Sequence, residues 1–234
     1  MEKVVTIHQP NYLPWIGFFQ KMALGDIFVI LDTVQFSKDS YTQRTKIRTK
    51  EGWVWLTIPV ERKYYFRPIN EVCLPRNEKW KKKHKIAIIS NYAKAPFFDK
   101  NFVDQYYCNG ITKLQEFNEF GIFYLKDKFG IETKVVRASE LGINEGLKST
   151  ELLIEIVKRV GGDVYISGVS GKNYLEEEKF EKEGIEIRYF EFKPFEYPQR
   201  WEGFEPYMSA IDLLFNIGDK SKTIFGLLRR KNDK

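Results

Sequence analysis

The chain is poor in the residues on which small secreted and metal-binding proteins depend. It has two cysteines and two histidines in 234 residues. Cys73 and Cys108 are far apart and neither belongs to a Cys-x-x-Cys pair. That pattern fits a reducing compartment better than a disulfide framework, and a cytoplasmic protein is expected. His8 and His84, with no HExxH and no cysteine cluster, are too few for a zinc site built of protein ligands. No apolar run is long enough to cross a bilayer, and the N-terminus lacks the charged, apolar and small-residue regions of a signal peptide, so no membrane partner is expected. There is no GxSxG elbow for a serine hydrolase, and no GxGxxG that would support dinucleotide binding.

The chain does have apolar and aromatic side chains, 43% and 16% of residues, which suffice for a substantial core. The length suits one domain, residues 1–234, with one core. Lys plus Arg number 38 against 32 acids, a net charge of +6. That mild excess suits an anionic small molecule such as a nucleotide, a sugar phosphate or a nucleotide-sugar, and leaves nucleic acid open as a lesser alternative. The basic residues concentrate in Lys79–Lys85 and in Lys220–Lys234, which read as a solvated helix face and a frayed basic tail, about 229–234.

Short apolar runs alternating with helical patterns predict an α/β fold with a mostly parallel sheet. Lys3–His8 and Ile27–Leu31 read as buried strands around a helix Trp15–Leu24 that Pro14 introduces and Gly25 ends, a βαβ unit. Thr42–Thr49 and Trp53–Val60 read as a hairpin, with Ile69–Leu74 as a possible third strand. Helices are expected at Asn77–Asn91, Asp99–Tyr107 and Ile111–Phe129. The α/β rhythm then resumes through strand Lys134–Arg137, helix Ser149–Val160, strand Val164–Ser167, helix Tyr174–Glu183 and strand Ile185–Phe190, before helices Ser209–Phe215 and Ser221–Leu228. Residues 41–129 thus read as an insertion of a hairpin and helices into one parallel-sheet domain.

In open parallel sheets ligands bind beyond the carboxyl ends of the strands. Those ends carry most of the suggestive chemistry. His8-Gln9-Pro10-Asn11-Tyr12-Leu13-Pro14-Trp15 places polar and aromatic groups at a helix mouth. His8 taken alone reads as a core histidine; with its neighbours it is a candidate acid/base. Asp32, followed by Gln35, Lys38 and Arg44, either orients a hydroxylated anionic ligand or caps a turn with Arg44 as a surface partner. Ser167-Gly168-Val169-Ser170-Gly171-Lys172 reads either as a glycine loop that exposes backbone N–H groups or as a plain βα turn; it is not a P-loop. Trp80 and His84 are four apart and share a helix face.

HQPNYLPWIGFFQK, FVILDTVQF, QRTKI, GWVWLTIPV, YISGVSGKNYL and MSAIDLLFNIG together resemble the WbqC-like family, over residues 5 to about 218. Gln43 departs from that pattern, which has Asn before the arginine. The resemblance implies a role in surface-polysaccharide biosynthesis, O-antigen included, and a transferase acting on an activated sugar or an acyl or aminoacyl group. A weaker similarity, at the level of fold, is to the HIGH-superfamily nucleotidylyltransferases. It implies a Rossmann-like sheet and a nucleotide pocket, with a nucleotide and Mg as the group such a pocket holds. Here Tyr12 and Trp15 stand at the signature histidine positions and Pro14 at the glycine. The alternatives to a transferase with His8 as acid/base are a non-catalytic binding or accessory protein with a degenerate pocket, and, last, a weak nucleic-acid binder.

Overall fold

The computed structural model describes residues 2–232, with side chains through residue 226; the remainder of the basic tail lies outside the described residues. In chain order the elements are β1 (Val4–His8), α1 (Ile16–Ala23), β2 (Ile27–Ile30), β3 (Arg44–Thr49), β4 (Gly52–Thr57), α2 (Lys79–Tyr92), α3 (Lys100–Tyr107), α4 (Leu114–Lys128), β5 (Lys134–Arg137), α5 (Ser149–Arg159), β6 (Val164–Gly168), α6 (Glu177–Lys182), β7 (Glu186–Phe190), α7 (Ala210–Ile217) and α8 (Ser221–Asn232). Five strands form a parallel sheet in the order β5-β2-β1-β6-β7. This is a Rossmann-like α/β arrangement, accompanied by the antiparallel β3–β4 hairpin.

The central strands β1 and β2 are mostly apolar and buried because both faces of the sheet are covered there, whereas the edge strands β5 and β7 carry charged residues and are partly exposed. Phe28 and Ile30 pack with Phe18, Phe19 and Met22 of α1 and with residues of α4 and α7, in a core rich in aromatic rings. Val5, Ile7, Ile27 and Val29 point the other way, onto Leu153, Ile156 and Val157 of α5 and Phe180 of α6. The hairpin and α2–α4 join the first layer through Ile47, Leu56, Trp80, Ile88, Tyr92, Phe102 and Phe117. On α2 the buried side chains Trp80, His84, Ile88 and Tyr92 recur every fourth residue, so the face that Trp80 and His84 share is the one turned inward.

Three expectations change. Ile69–Leu74 is not a strand: a 3-10 turn at Ile69–Glu71 follows Pro68, and only Cys73 pairs, in a single bridge to Lys113. Pro68 and Pro75 bracket this run and cannot donate to a ladder. The helix expected from Tyr174 begins at Glu177, because residues 169–173 form a 3-10 turn. The Lys79–Lys85 run is also less solvated than expected. Lys81 is turned inward, with Nζ 2.6 Å from Glu78, and Lys85 pairs with Asp104 at 2.9 Å.

Arg48 fixes the hairpin. Its buried guanidinium donates to the carbonyls of Thr49 (2.5 Å), Gly52 (2.8 Å) and Glu202 (2.6 Å) and to Gln199 Oε1 (3.3 Å). Gln199 and Tyr197 in turn donate to the buried carboxylate of Asp212 on α7, at 2.8 and 2.7 Å. Arg48→Met removes the bonds to three carbonyls at once. Because those residues are half-buried or exposed and water can reach them, the expected cost is about 2 kcal/mol, as for loss of a hydrogen bond to a charged group. Urea unfolding checks this, and an unchanged midpoint would contradict the clamp.

Candidate functional site

At the carboxyl edge of the sheet the polar side chains sort into two groups. Beyond β2 and β5 they satisfy one another. Asp32 is fully buried, and its carboxylate accepts from the Ser139 amide (2.9 Å) and the Ser139 hydroxyl. Arg137 makes a bidentate pair with the buried carboxylate of Glu119 on α4 and a second pair, at 2.9 Å, with Glu140. Beyond β1 and β6 no such pairing closes the edge. There the strand order reverses, the connections leave for opposite faces, and a crevice opens. It holds about 370 Å³, with His8, Gln9, Lys21, Ser149, Ser167, Gly168, Ser170 and Tyr174 among its lining residues.

His8 ends β1 with its ring edge on Phe18, centroids 5.0 Å apart. Nδ1 lies 3.0 Å from the Gln9 carbonyl. A carbonyl only accepts, so Nδ1 carries the proton. Burial, and then the charge of Lys21, lower the His8 pKa to about 4, so the ring is neutral at pH 7 and Nε2 keeps its lone pair. Lys21 was not foreseen. It lies on the face of α1 turned to the sheet, 6% exposed, and Nζ donates to the Ile7 carbonyl at 2.8 Å. Burial lowers its pKa to about 8. A buried ammonium with one partner is expensive unless an anion completes its shell.

The opposite wall comes from β6 and α5. Gly171 brings the turn after β6 against the strand: a Cβ there would sit 2.2 Å from Ser167 Oγ and 2.9 Å from Leu175. α5 starts at Ser149, held at φ +48°, and its N-cap residue Lys148 supplies no side-chain cap, although the Glu151 carboxylate takes its own backbone N–H; the start of the helix lies at the rim. The lining residues include no carboxylate, and the described residues contain no cluster of His, Cys, Asp or Glu that could hold a metal. A divalent ion gripped by the protein itself therefore does not fit this crevice.

Of the residues singled out from sequence, His8, Gln9, Ser167 and Gly168 meet in the crevice. Asp32, spent on Ser139, does not line it. Gln9 also faces Thr42, its Oε1 being 3.3 Å from Thr42 Oγ1. Asn11 is buried with its amide nitrogen unpartnered. Tyr12 is fully buried in the aromatic core, its hydroxyl bonded to His84 Nδ1 (2.9 Å) and to the Tyr107 hydroxyl. Trp15 packs edge-on against Phe192 at 4.8 Å. Gln35 and Lys38 are exposed; Gln35 reaches the Tyr65 carbonyl and Lys38 pairs with Asp39. Arg44 lies on the hairpin over Trp55. Lys172 is exposed over the Tyr189 ring, and Gly171 serves the turn's geometry. Gln43 is buried and structural, accepting from the Asp39 amide and donating to the Ile58 carbonyl.

The loop between β1 and α1 is held rigidly. Buried Asn118 on α4 donates to the carbonyls of Pro10 (2.9 Å) and Thr42 (2.8 Å). Leu13, at φ +38°, is fixed by Thr45 and Ser209, whose hydroxyls donate to its carbonyl at 2.9 and 2.8 Å.

Fold and crevice together define a Rossmann-like protein with a polar, cation-bearing pocket at its topological switch point. Among families, the WbqC-like protein family model matches residues 9–224, and the chain belongs to that family. It is 32% identical to Rv1507c, an uncharacterized protein of Mycobacterium tuberculosis, over 92% of this chain and 94% of that one. No solved structure matches.

The second histidine, His84, is likewise held near pKa 4 by burial and by the charge of Lys83. Both folded pKa values lie below the ordinary 6.5, so the unfolded chain binds more protons than the native one between those limits. Stability is therefore expected to fall as pH drops from 6.5 toward 4. Replacing both residues by Asn should flatten the dependence of the urea midpoint between pH 6.5 and 5. Equal slopes in the parent and the double variant would contradict these assignments.

Proposed function

We propose that the chain is a transferase acting on an activated sugar, or on an acyl or aminoacyl donor, in surface-polysaccharide biosynthesis, and that the crevice takes the anionic, phosphate-bearing part of the donor. The observation that carries this reading is Lys21: a nearly buried ammonium with a single carbonyl partner, opposite the start of α5. Lys21 would meet the phosphate from below. The Gly168–Ser170 turn and the first amides of α5 would meet it from the side, as backbone N–H groups do at other anion sites. His8, neutral and protonated on Nδ1, would accept the acceptor's proton at Nε2 as the acceptor oxygen bonds to the transferred sugar or acyl carbon. The bond from that carbon to the phosphate would break, the phosphate leaving with its electron pair beside Lys21. An anion beside Lys21 would screen that charge and so raise the basicity of His8. Gln9 would position the ligand between His8 and the hairpin. Any magnesium in the reaction would arrive on the substrate's phosphates, since the crevice offers it no carboxylate. The family resemblance supports the pathway.

One observation favours a second reading, a non-catalytic binding protein. The side chain at the first signature histidine position of the nucleotidylyltransferases, Tyr12, is sealed in the core with its hydroxyl consumed.

A thermal-shift titration with ATP, UDP and pyrophosphate tests the site, because a ligand that binds only the native state raises the melting temperature by mass action. The parent is expected to respond. Lys21→Met is expected to lose that response without losing stability, since it also removes the cost of a buried charge. A response that survives in Lys21→Met would overturn the assignment of Lys21.

A further inference from the structure

The β3–β4 hairpin presents a second surface that the crevice chemistry does not use. Ile47 and Leu56 face the core; the opposite face carries Arg48, which clamps the hairpin's end, and next to it side chains that the core does not use. That face carries Trp53 and Tyr41, 42% and 39% exposed, with Trp55 between them. Cross-strand register sets Lys46 opposite Trp55. Lys46 Nζ sits 4.0 Å from the Trp53 ring centre and 5.2 Å from that of Trp55, and the Arg44 guanidinium sits 4.3 Å from Trp55.

Ring–ring and cation–ring contacts stabilise a hairpin. That accounts for the rings touching. It does not account for a lysine left without an acid. No salt bridge joins Lys46 to an acid among the described residues, and Arg44 makes only a long, exposed ion pair with Asp39, at 3.9 Å. The indoles pin two positive charges about 7 Å apart, two residues at roughly 3.3 Å each along β3. The ordering cost of those side chains is thus met before any ligand arrives. The platform also adjoins the crevice: Thr42 meets Gln9, and the Tyr41 carbonyl accepts from the Tyr12 amide at 2.9 Å.

We propose that this face binds an acidic saccharide, with sugar C–H groups on the indoles and carboxylate or phosphate oxygens on Arg44 and Lys46. In the transferase reading, on which it rests for that role alone, it is the acceptor's subsite. The ring geometry favours a saccharide over single-stranded nucleic acid. Successive bases need roughly parallel ring faces. Here Trp53 and Trp55 meet at 80°, Tyr41 and Trp55 at 63°, and the cations lie over the indoles.

Tryptophan fluorescence titrations with tetragalacturonic acid, neutral cellotetraose and an eight-residue oligothymidylate test the proposal. The acidic tetrasaccharide is expected to bind best. Its affinity should fall about tenfold in Trp53→Ala and in Lys46→Met, as for loss of a principal contact, and persist in Lys21→Met. Trp53→Ala should keep the parent's thermal-shift response to nucleotides. No binding of the acidic saccharide, unchanged affinity in both hairpin variants, or tighter binding of the oligothymidylate would overturn the proposal. Saccharide binding without any nucleotide response would remove the transferase reading and leave the saccharide surface standing.

Discussion

The reversal of strand order between β1 and β6 is the constraint from which the rest follows. Because β1 lies between β2 and β6, the segments that leave β1 and β6 depart toward opposite faces of the sheet, and nothing covers their shared carboxyl edge. Elsewhere on that edge Asp32, Ser139, Arg137 and Glu119 close the gap by pairing with one another. At the reversal, a lysine brought in on α1 meets a strand-end carbonyl and is left with unused donors. A buried charge in that state weakens the fold, and this is the ground for the anionic ligand proposed there.

The inserted hairpin and helices complete this arrangement. Asn118 on α4 holds the loop that carries Gln9, and Tyr12 ties the same loop to α2 and α3 through His84 and Tyr107. The aromatic core around Tyr12 consumes that residue's hydroxyl and keeps its ring out of the crevice. What remains beside the crevice is His8 on the strand and Lys21 on the helix.

The parallel sheet was legible because strands buried on both faces read as unbroken apolar runs, as in Val4–Ile7 and Ile27–Ile30. The hairpin was legible from its Lys50-Glu51-Gly52 turn. His8, Gln9 and the Ser167–Gly171 turn were legible because strand ends are where such sheets bind ligands. Lys21 was not: a lysine inside an amphipathic helix reads as solvent-facing, and only the packing of α1 on β1 turns it inward. Asp32 drew attention as a carboxylate at a strand end. Its partner Ser139 lies more than a hundred positions away, so no local pattern could show that it was already satisfied. Ile69–Leu74 misled because a short stretch with Ile, Val and Leu resembles a strand in composition, while the flanking prolines and the absence of a partner strand leave only a single bridge, Cys73 to Lys113.

The central claim is that the β1/β6 crevice, with Lys21 at its floor, is the ligand site. A crystal structure of the protein grown with a nucleoside diphosphate tests it most directly. The account predicts phosphate oxygens within hydrogen-bonding distance of Lys21 Nζ and of the Gly168–Ser170 turn or the first amides of α5. Phosphate bound instead in the cleft beside Lys100 and Lys128, or in the one beside Lys63 and Arg76, with the β1/β6 crevice unchanged, would contradict it.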